Sequence, residues 1–305
     1  EKLFLFRRAP RHRGSSLAVR LMAAGRGALG RLGVMKKGKV TRRSPPQAWQ
    51  RDFPIIKRLR KQRDAPVDMI GCERLADPKA KRSDFEWQTL VAAMLSSQTR
   101  DQANAEAMVA LHRHGNTMAK IARTPVQRLS TLIRKVGFYR TKAKNLRAAA
   151  QLCLRQHGGR IPRTIEGLLE LPGVGPKMAH LTLHAALGKQ EGLCIDTHIH
   201  RIANALGWLR PRTATPEQTR EALESWLPRR EWHDFNVLLV GLGQQQQQAP
   251  DKLVERCLAI RDPVAALRLL AGIGVRLRPG RNAKLDQLAA KRPEIRRLVT
   301  RGCRA

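Results

Sequence analysis

The hydrophobic residues between positions 84 and 243 recur every three to four residues, which is the spacing of helices that bury one face. In the first stretch Asp84 can cap a helix over residues 85–98, and Trp87 and Leu90 share one side of it. The same spacing predicts helices over residues 102–112, 125–135, 142–156, 164–170, 177–187, 197–206, 216–226 and 232–242. Glycines that fit helix ends lie at positions 137, 158, 188 and 207. Because no alternating strand pattern recurs, the sequence predicts an all-α fold with short connections.

The two ends of the chain differ from this helical middle. Residues 1–51 contain many arginines and a single carboxylate, Glu1, which is typical of a disordered basic arm or a mitochondrial transit peptide. A basic cluster at positions 36, 37, 39, 42 and 43 can serve nuclear import. We therefore expect either targeting to the nucleus and mitochondrion or a plain arm that raises affinity for DNA. Beyond a short polar run at 244–248, residues 246–305 combine an apolar helical stretch over 264–273 with a basic end.

The charge balance limits the class of partner. The 305 residues include 59 Lys and Arg against 24 Asp and Glu, a formal net charge of +35 that indicates a polyanion such as DNA or RNA. A chromatin-like or ribosome-like structural protein fits the charge alone. An aromatic content of 4% disfavours a protein that stacks single-stranded bases. Five scattered cysteines without a C-x-x-C pair indicate a reducing compartment. No run of about 18 apolar residues exists, so no membrane span is predicted.

A glycine-containing turn joins two of the predicted helices and reads Leu-Pro-Gly-Val-Gly-Pro-Lys-Met-Ala over residues 171–179. Gly173 and Gly175 let a phosphate approach the backbone closely, and the helix N-terminus behind them favours an anion. Pro176 suits the first helical position, where its missing N–H costs nothing. The pattern is that of a helix-hairpin-helix, which contacts the DNA backbone without reading sequence. Gly173, Val174 and Gly175 are its expected DNA-contacting residues.

Two residues near this hairpin carry candidate chemistry. Lys177 lies in the first turn of the second helix, where the positive helix end and the basic surroundings are expected to lower its pKa from about 10.4 and free a nucleophilic amine. A lysine that only contacts phosphate is the alternative. Asp196, 19 residues further on, can aim a carboxylate at the hairpin, and it can also cap the helix that follows, so both roles can coexist. His198 and His200 beside it could ligate a metal, but no third ligand is evident at a suitable spacing.

Several blocks of the sequence, in the same order, resemble the endonuclease III family of DNA glycosylases, and its eukaryotic members in particular. Besides the hairpin and Ile-Asp-Thr-His-Ile-His at 195–200, they are Leu-Ser-Ser-Gln-Thr at 95–99, Val-Gly-Phe-Tyr-Arg-Thr-Lys at 136–142 and Asn-Val-Leu-Leu-Val-Gly at 236–241. The resemblance covers roughly residues 50–245. It implies a helix-hairpin-helix glycosylase core over 52–245, built from two all-α lobes with the active site in the cleft between them.

The resemblance also implies an activity. The implied protein is a base excision repair enzyme that acts as a monomer on duplex DNA. As a DNA N-glycosylase it would remove oxidised pyrimidines such as thymine glycol, and as an AP lyase it would then nick the strand by β-elimination. Lys177 would be the nucleophile and Asp196 its essential partner, while Gln98 would fill the space left by the flipped base and Phe138 would act as a wedge on the other strand. Two alternatives stay open. One is an adenine-removing glycosylase, which shares the hairpin and the aspartate but lacks the lysine; the other is a non-catalytic DNA-binding protein.

The sequence departs from this family at its iron–sulfur site. Members usually hold a [4Fe-4S] cluster on four cysteines spaced C-x6-C-x2-C-x5-C, and those positions fall here on Gln247, Val254, Cys257 and Pro263. Such a cluster needs four thiolates, and only Cys257 remains as a family ligand. We therefore expect no cluster in this chain, and a divergent segment over 246–305 in its place. No cofactor is needed for the lysine chemistry, so the predicted activity does not depend on it.

Overall fold

The computed structural model describes residues 44–301, with side chains described over 44–299, and this part of the chain is entirely helical apart from turns and loops. It contains sixteen α-helices: α1 (Gln47–Leu59), α2 (Pro66–Ile70), α3 (Arg82–Ser96), α4 (Asp101–His114), α5 (Met118–Arg123), α6 (Val126–Leu132), α7 (Tyr139–Gln156), α8 (Ile165–Leu169), α9 (Pro176–Leu187), α10 (Thr197–Ala205), α11 (Pro216–Glu224), α12 (Trp232–Gln248), α13 (Pro250–Ala259), α14 (Pro263–Gly272), α15 (Ala283–Lys291) and α16 (Pro293–Arg301). The all-α prediction is confirmed. None of these helices is long and apolar enough to cross a bilayer.

Two separate apolar cores divide the helices into two lobes. The first lobe comprises α3 to α9, whose core includes the fully buried Trp87 and Leu146. The second lobe comprises α1 and α10 to α16, whose core includes Trp208 and Phe235. The described chain therefore starts in the second lobe, builds the first and returns. Each core forms because its amphipathic helices bury their apolar faces against one another. The expected two-lobed arrangement is confirmed.

The predicted helices form within a few residues of their expected bounds. Gly158, Gly188 and Gly207 have positive φ angles near the ends of α7, α9 and α10, as expected for residues that terminate helices. The capping role expected for Asp84 is wrong, because α3 begins at Arg82 and places Asp84 in its first turn. The helix α5 was not predicted. It is only six residues long and is capped at its N-terminus by a threonine hydroxyl, so it has too few turns to show a period.

The expected boundary of the N-terminal arm at residue 51 is wrong. Helix α1 already begins at Gln47, and Trp49 stacks on Phe53 with 5.2 Å between ring centroids inside the second core. Two aromatic side chains buried together outweigh the basic composition of this stretch. The targeting signals and the rest of the arm, over residues 1–43, lie outside the described residues.

The expected boundary at residue 245 is also wrong, because it falls inside α12. Beyond it, Leu253, Cys257 and Leu267 join the same core as Phe235, so residues 250–301 complete the second lobe instead of forming a separate segment. The apolar stretch predicted over 264–273 is helix α14, and it buries Leu267 and its neighbours. Apolar contacts therefore hold this end of the chain onto the lobe.

The short glutamine run lies at the end of α12, and three successive side chains bond in three directions. Gln244 donates to Asp101 Oδ2 at 2.7 Å, across the gap between the lobes. Gln245 donates to Asp64 Oδ1 at 2.7 Å. Gln246 donates to the Ile273 carbonyl at 2.6 Å and accepts from Arg201 at 2.6 Å. The three bonds fan out because successive residues of a helix are turned by about 100°.

Candidate active site

The hairpin between α8 and α9 is anchored in the first lobe. Leu171 and Val174 are buried in its core, and the Val174 N–H bonds the Leu171 carbonyl at 3.1 Å to close the turn. Gly173 has a φ of +79°, and a Cβ there would lie 2.4 Å from Asn145 Nδ2. The structure thus gives Gly173 and the Val174 side chain a part in building the hairpin. Any contact of Gly173 and Val174 with DNA must therefore come from their backbone atoms.

Gly175 serves the surface of the hairpin. It is the N-cap residue of α9, its backbone is extended with a φ of −108°, and a Cβ on it would meet no atom within 4 Å. No side chain of the described residues caps α9, so the N–H groups of its first turn are not satisfied by the fold. Unsatisfied amides at a helix N-terminus bind anions, because they point outward and carry partial positive charge. This end of α9 is therefore suited to a phosphate, as the sequence predicts.

Lys177 projects from the first turn of α9 into a cleft, where its Nζ lies 3.4 Å from Ser96 Oγ at the end of α3. Burial lowers the pKa of the Lys177 ammonium, but acidic groups in the cleft, Cys72 first and then Asp196, outweigh burial and raise this pKa above its ordinary value. The expected lowering is wrong for the unbound protein, because the expectation counted the basic charge of the chain and not the acidic groups folded around the amine. Before attack, this amine must lose a proton.

Asp196 takes both of the roles that its sequence position allows. Its Oδ1 accepts from the Ile199 N–H at 2.9 Å, so it caps α10. Its second carboxylate oxygen has no hydrogen-bond partner among the described residues, and the side chain lines the same cleft as Lys177. The cap holds the carboxylate in one orientation. The charge of Asp196 acts on the pKa of Lys177, which shows that the two groups interact.

The cleft has a volume of about 630 Å³ and lies between the two lobes. The first lobe contributes Gln98, Asp101 and Lys177 to its lining, and the second contributes Asp196 and Gln244. This volume is within the usual range for sites that hold a small molecule, so the cleft is large enough for a nucleotide turned out of a duplex. The cleft lies between the lobes, where the sequence resemblance implies the active site.

Sequence reasoning missed three carboxylates that line this cleft, those of Glu73, Asp101 and Glu217. Asp101 is the first residue of α4; burial raises the pKa of its carboxyl, and it accepts a hydrogen bond from Gln244. Its position three residues after Gln98 was the only available signal, and spacing alone could not place it beside Lys177. His198 also lines the cleft, whereas His200 bonds Thr219 Oγ1 at 2.7 Å. Among residues 44–299, no three potential ligands lie close enough to hold a metal ion.

Gln98 and Phe138 lie on adjoining turns, and Gln98 also lines the cleft. Both are exposed, Phe138 to 68%, and both have left-handed backbones, with φ angles of +48° and +55°. A Cβ on Gly137 would lie 2.3 Å from the Gln98 carbonyl oxygen, so the two turns are in direct contact. Left-handed backbone costs a residue with a side chain about 1–2 kcal/mol, and such strain is typical of functional turns. The structure therefore brings together the two residues predicted to enter the duplex.

The positions aligned with the family's cluster ligands do not fit an iron–sulfur cluster. Val254 and Cys257 are buried in the apolar core of the second lobe, and burial raises the pKa of the Cys257 thiol to about 12. A cluster ligand must be a thiolate, which this environment disfavours. Gln247 and Pro263, at the remaining positions, offer no thiol at all.

Comparison with known proteins shows which proteins share these features. A family profile described as "HhH-GPD superfamily base excision DNA repair protein" matches residues 91–229. The chain is 42% identical to endonuclease III-like protein 1 of Gallus gallus over 70% of this chain and 76% of that protein. It is 46% identical to the protein of the same name from Bos taurus over 66% of each chain. A solved non-covalent endonuclease III–DNA complex is similar to 64% of this chain and 85% of its own, with 25% identity and a TM-score of 0.53. A trapped endonuclease III–DNA covalent intermediate is similar at a TM-score of 0.52 and 26% identity, over 63% of this chain and 84% of its own.

Proposed function

Because the chain belongs to the endonuclease III family of base excision DNA repair proteins, we propose that it is a bifunctional DNA glycosylase and AP lyase that removes oxidised pyrimidines from duplex DNA. One observation carries the proposal: a lysine amine and a carboxylate share a cleft directly behind a DNA-gripping hairpin. The related solved structures are endonuclease III in complex with DNA, and one of them is a covalent intermediate. A covalent intermediate requires a nucleophile, and the Lys177 amine in the cleft supports the proposal that it plays this part here.

Binding begins at the DNA backbone. The N-terminus of α9 receives a phosphate at Gly175, and the large positive charge of the chain attracts the duplex at long range. The damaged pyrimidine then turns out of the stack into the cleft, at a cost of a few kcal/mol that is smaller where damage has already weakened pairing. Gln98 and Phe138, exposed on adjoining turns, occupy the opened duplex.

The chemistry proceeds through the sugar. The Lys177 Nζ bonds to the sugar carbon that carries the base, and the bond to the base breaks, with the base leaving with the electron pair and taking up a proton. The sugar ring opens to give a Schiff base with Lys177. Loss of a proton from the neighbouring sugar carbon then expels the 3′ phosphate, and water releases the lysine. Every bond change is accounted for by an amine, a proton acceptor and water.

Asp196 acts on the charges of this sequence. Because the resting Lys177 is protonated, attack requires a base, and the free oxygen of Asp196 is available in the same cleft. The carboxylate also stabilises the positive charge that develops on the sugar as the base departs, a charge that exists only near the transition state. Both effects raise the rate of base release and leave affinity for DNA largely unchanged.

Borohydride trapping tests the proposal. The wild-type chain should form a covalent adduct with a duplex containing thymine glycol, because borohydride reduces the Schiff base. Lys177→Gln should bind the duplex but give neither adduct nor cleavage, while the control Lys61→Gln, at an exposed lysine outside the cleft, should behave as wild type. Undiminished trapping in Lys177→Gln would refute the assignment. Base release without any adduct in the wild type would instead indicate the mechanism of an adenine-removing glycosylase. The absence of any reaction would indicate a non-catalytic DNA-binding protein.

We also propose that this chain works without a [4Fe-4S] cluster. The proposal is supported by the donor chemistry of the four aligned positions, which offer one buried thiol, an amide, a valine and a proline. It is supported further by the apolar contacts of Leu253 and Leu267, which already hold the C-terminal helices to the second lobe.

A further inference from the structure

Lys142 is a buried lysine on the first turn of α7 with an unusual set of partners. It is 8% exposed, and its Nζ donates to the Leu95 carbonyl at 2.7 Å, the Ser97 carbonyl at 2.5 Å and Thr99 Oγ1 at 3.1 Å. No carboxylate pairs with it among the described residues. Burial lowers the pKa of the Lys142 ammonium to about 8. A charge in so dry a position is tolerated only because three oxygens surround it.

These partners all belong to the end of α3 and the turn that follows it. The last carbonyls of a helix have no partner within the helix, and a cation placed there also interacts favourably with the helix dipole. The Lys142 ammonium therefore caps the C-terminal end of α3, although it lies 43 to 47 residues away from its partners in sequence. The turn that it holds contains Gln98.

The same ammonium is linked to the turn before α7. Thr99 Oγ1, which accepts from Lys142, also accepts from the Gly137 N–H at 3.1 Å, and the Lys142 N–H bonds the Phe138 carbonyl at 3.0 Å. One lysine thus joins the turn that carries Gln98 to the turn that carries Phe138. The Lys142 ammonium thus adds to the direct Gly137–Thr99 bond in holding together two turns whose exposed residues have strained left-handed backbones.

We infer that Lys142 is a positioning residue whose ammonium locks the Gln98 and Phe138 turns together, so that the two side chains enter the duplex as one preformed unit. This inference rests on the proposed function, in which a base must leave the stack. Its consequence is selective. The contribution of Lys142 should matter most when a base has to be displaced and less when the base is already gone. Gln98 and Phe138 act on the duplex, whereas the turn that Lys142 holds reaches the Lys177 amine through a long contact, from Ser96 Oγ to Nζ at 3.4 Å.

The experiment compares two substrates under single-turnover conditions with saturating enzyme. One is a duplex with thymine glycol opposite adenine, where release of the base is measured; the other carries a preformed abasic site, where only strand cleavage is measured. Lys142→Met should slow base release by about tenfold or more while slowing cleavage of the abasic site less than about threefold. Lys144→Met, at an exposed position on the same helix, should leave both rates unchanged.

A second variant keeps the test decisive if Lys142→Met does not fold. Thr99→Val removes the hydroxyl that bridges Gly137 and Lys142 but leaves the ammonium its two carbonyl acceptors, and it should show the same selective loss. Equal slowing of both reactions in the folded variants, or no slowing of either, would overturn the inference. Failure of the wild type to trap DNA covalently would refute the proposed function instead, so the two failures are distinguishable.

Discussion

The two glycines of the hairpin should respond to substitution in opposite ways. Gly173 has a left-handed backbone, and a Cβ there would lie 2.4 Å from Asn145 Nδ2. Alanine at 173 should therefore cost about 1–2 kcal/mol for the backbone and about 1–3 kcal/mol for displacing Asn145. A total of ~3 kcal/mol corresponds to a melting temperature lower by roughly 6–12 °C for a domain of this size.

Gly175→Val should leave stability nearly unchanged and weaken binding. A Cβ at 175 meets open space and the backbone there is extended, so the free energy of unfolding should change by less than about 0.5 kcal/mol. The valine side chain instead occupies the place of the phosphate. Loss of one charge-assisted hydrogen bond, worth about 1.5–3 kcal/mol, should raise Kd about tenfold to a hundredfold.

Thermal unfolding and fluorescence anisotropy on duplex DNA measure the two effects separately. Anisotropy should use an undamaged duplex and one with a non-cleavable abasic analogue, at several salt concentrations. Wild-type affinity should fall steeply as the salt concentration rises. In Gly175→Val the slope of the logarithm of the binding constant against the logarithm of the salt concentration should change by less than about one unit, because a backbone amide rather than a cation is lost. A well-folded Gly175→Val protein that binds both duplexes as tightly as wild type would refute the assigned phosphate site, and salt-independent binding would refute the electrostatic account.

Three further outcomes are expected. Asp196→Asn should keep the α10 cap and the melting temperature, since asparagine caps as well as aspartate, yet slow single-turnover base release on the order of 10²-fold with little change in Kd; a large loss of stability with an intact rate would leave only the capping role. The purified chain should contain no stoichiometric iron, because Cys257 is the one aligned thiol; about four irons per chain with a broad absorption near ~400 nm would contradict this. Asp64, whose pKa Arg256 lowers well below its ordinary value of 3.8, contributes stability that is present above that value and lost as the pH falls below it. In urea unfolding, the stability gap between wild type and Asp64→Asn should therefore narrow from pH 5 to pH 3, by on the order of 1 kcal/mol after solvent screening.

The hairpin could be predicted from sequence because its determinants are local. Gly173, Gly175 and Pro176 each favour a particular backbone conformation, and α9, which follows them, is 12 residues long and so shows its period in the sequence. The N-cap role of Asp196 was accessible for the same reason. Local preferences of this kind survive folding unless tertiary packing opposes them.

Other features depend on contacts between distant parts of the chain and could not be predicted. The direction of the Lys177 pKa shift is set by Cys72 and Asp196, which approach it only in the folded cleft. Lys142 looks like an ordinary helical lysine in sequence, and only the fold shows that its ammonium ends another helix. Trp49 lies in a basic stretch, but burial against the second lobe determines its structure.

The glutamine tract at the end of α12 imposes a fixed length on this part of the gene product. Here an added glutamine would still leave glutamines at 244, 245 and 246, so their bonds to Asp101, Asp64 and Ile273 would survive. Everything after the tract, however, would be advanced by about 1.5 Å and turned by about 100°. Because α13 packs Cys257 into the second core directly after this junction, one inserted glutamine should lower the free energy of unfolding, although it changes no side chain at the junction itself.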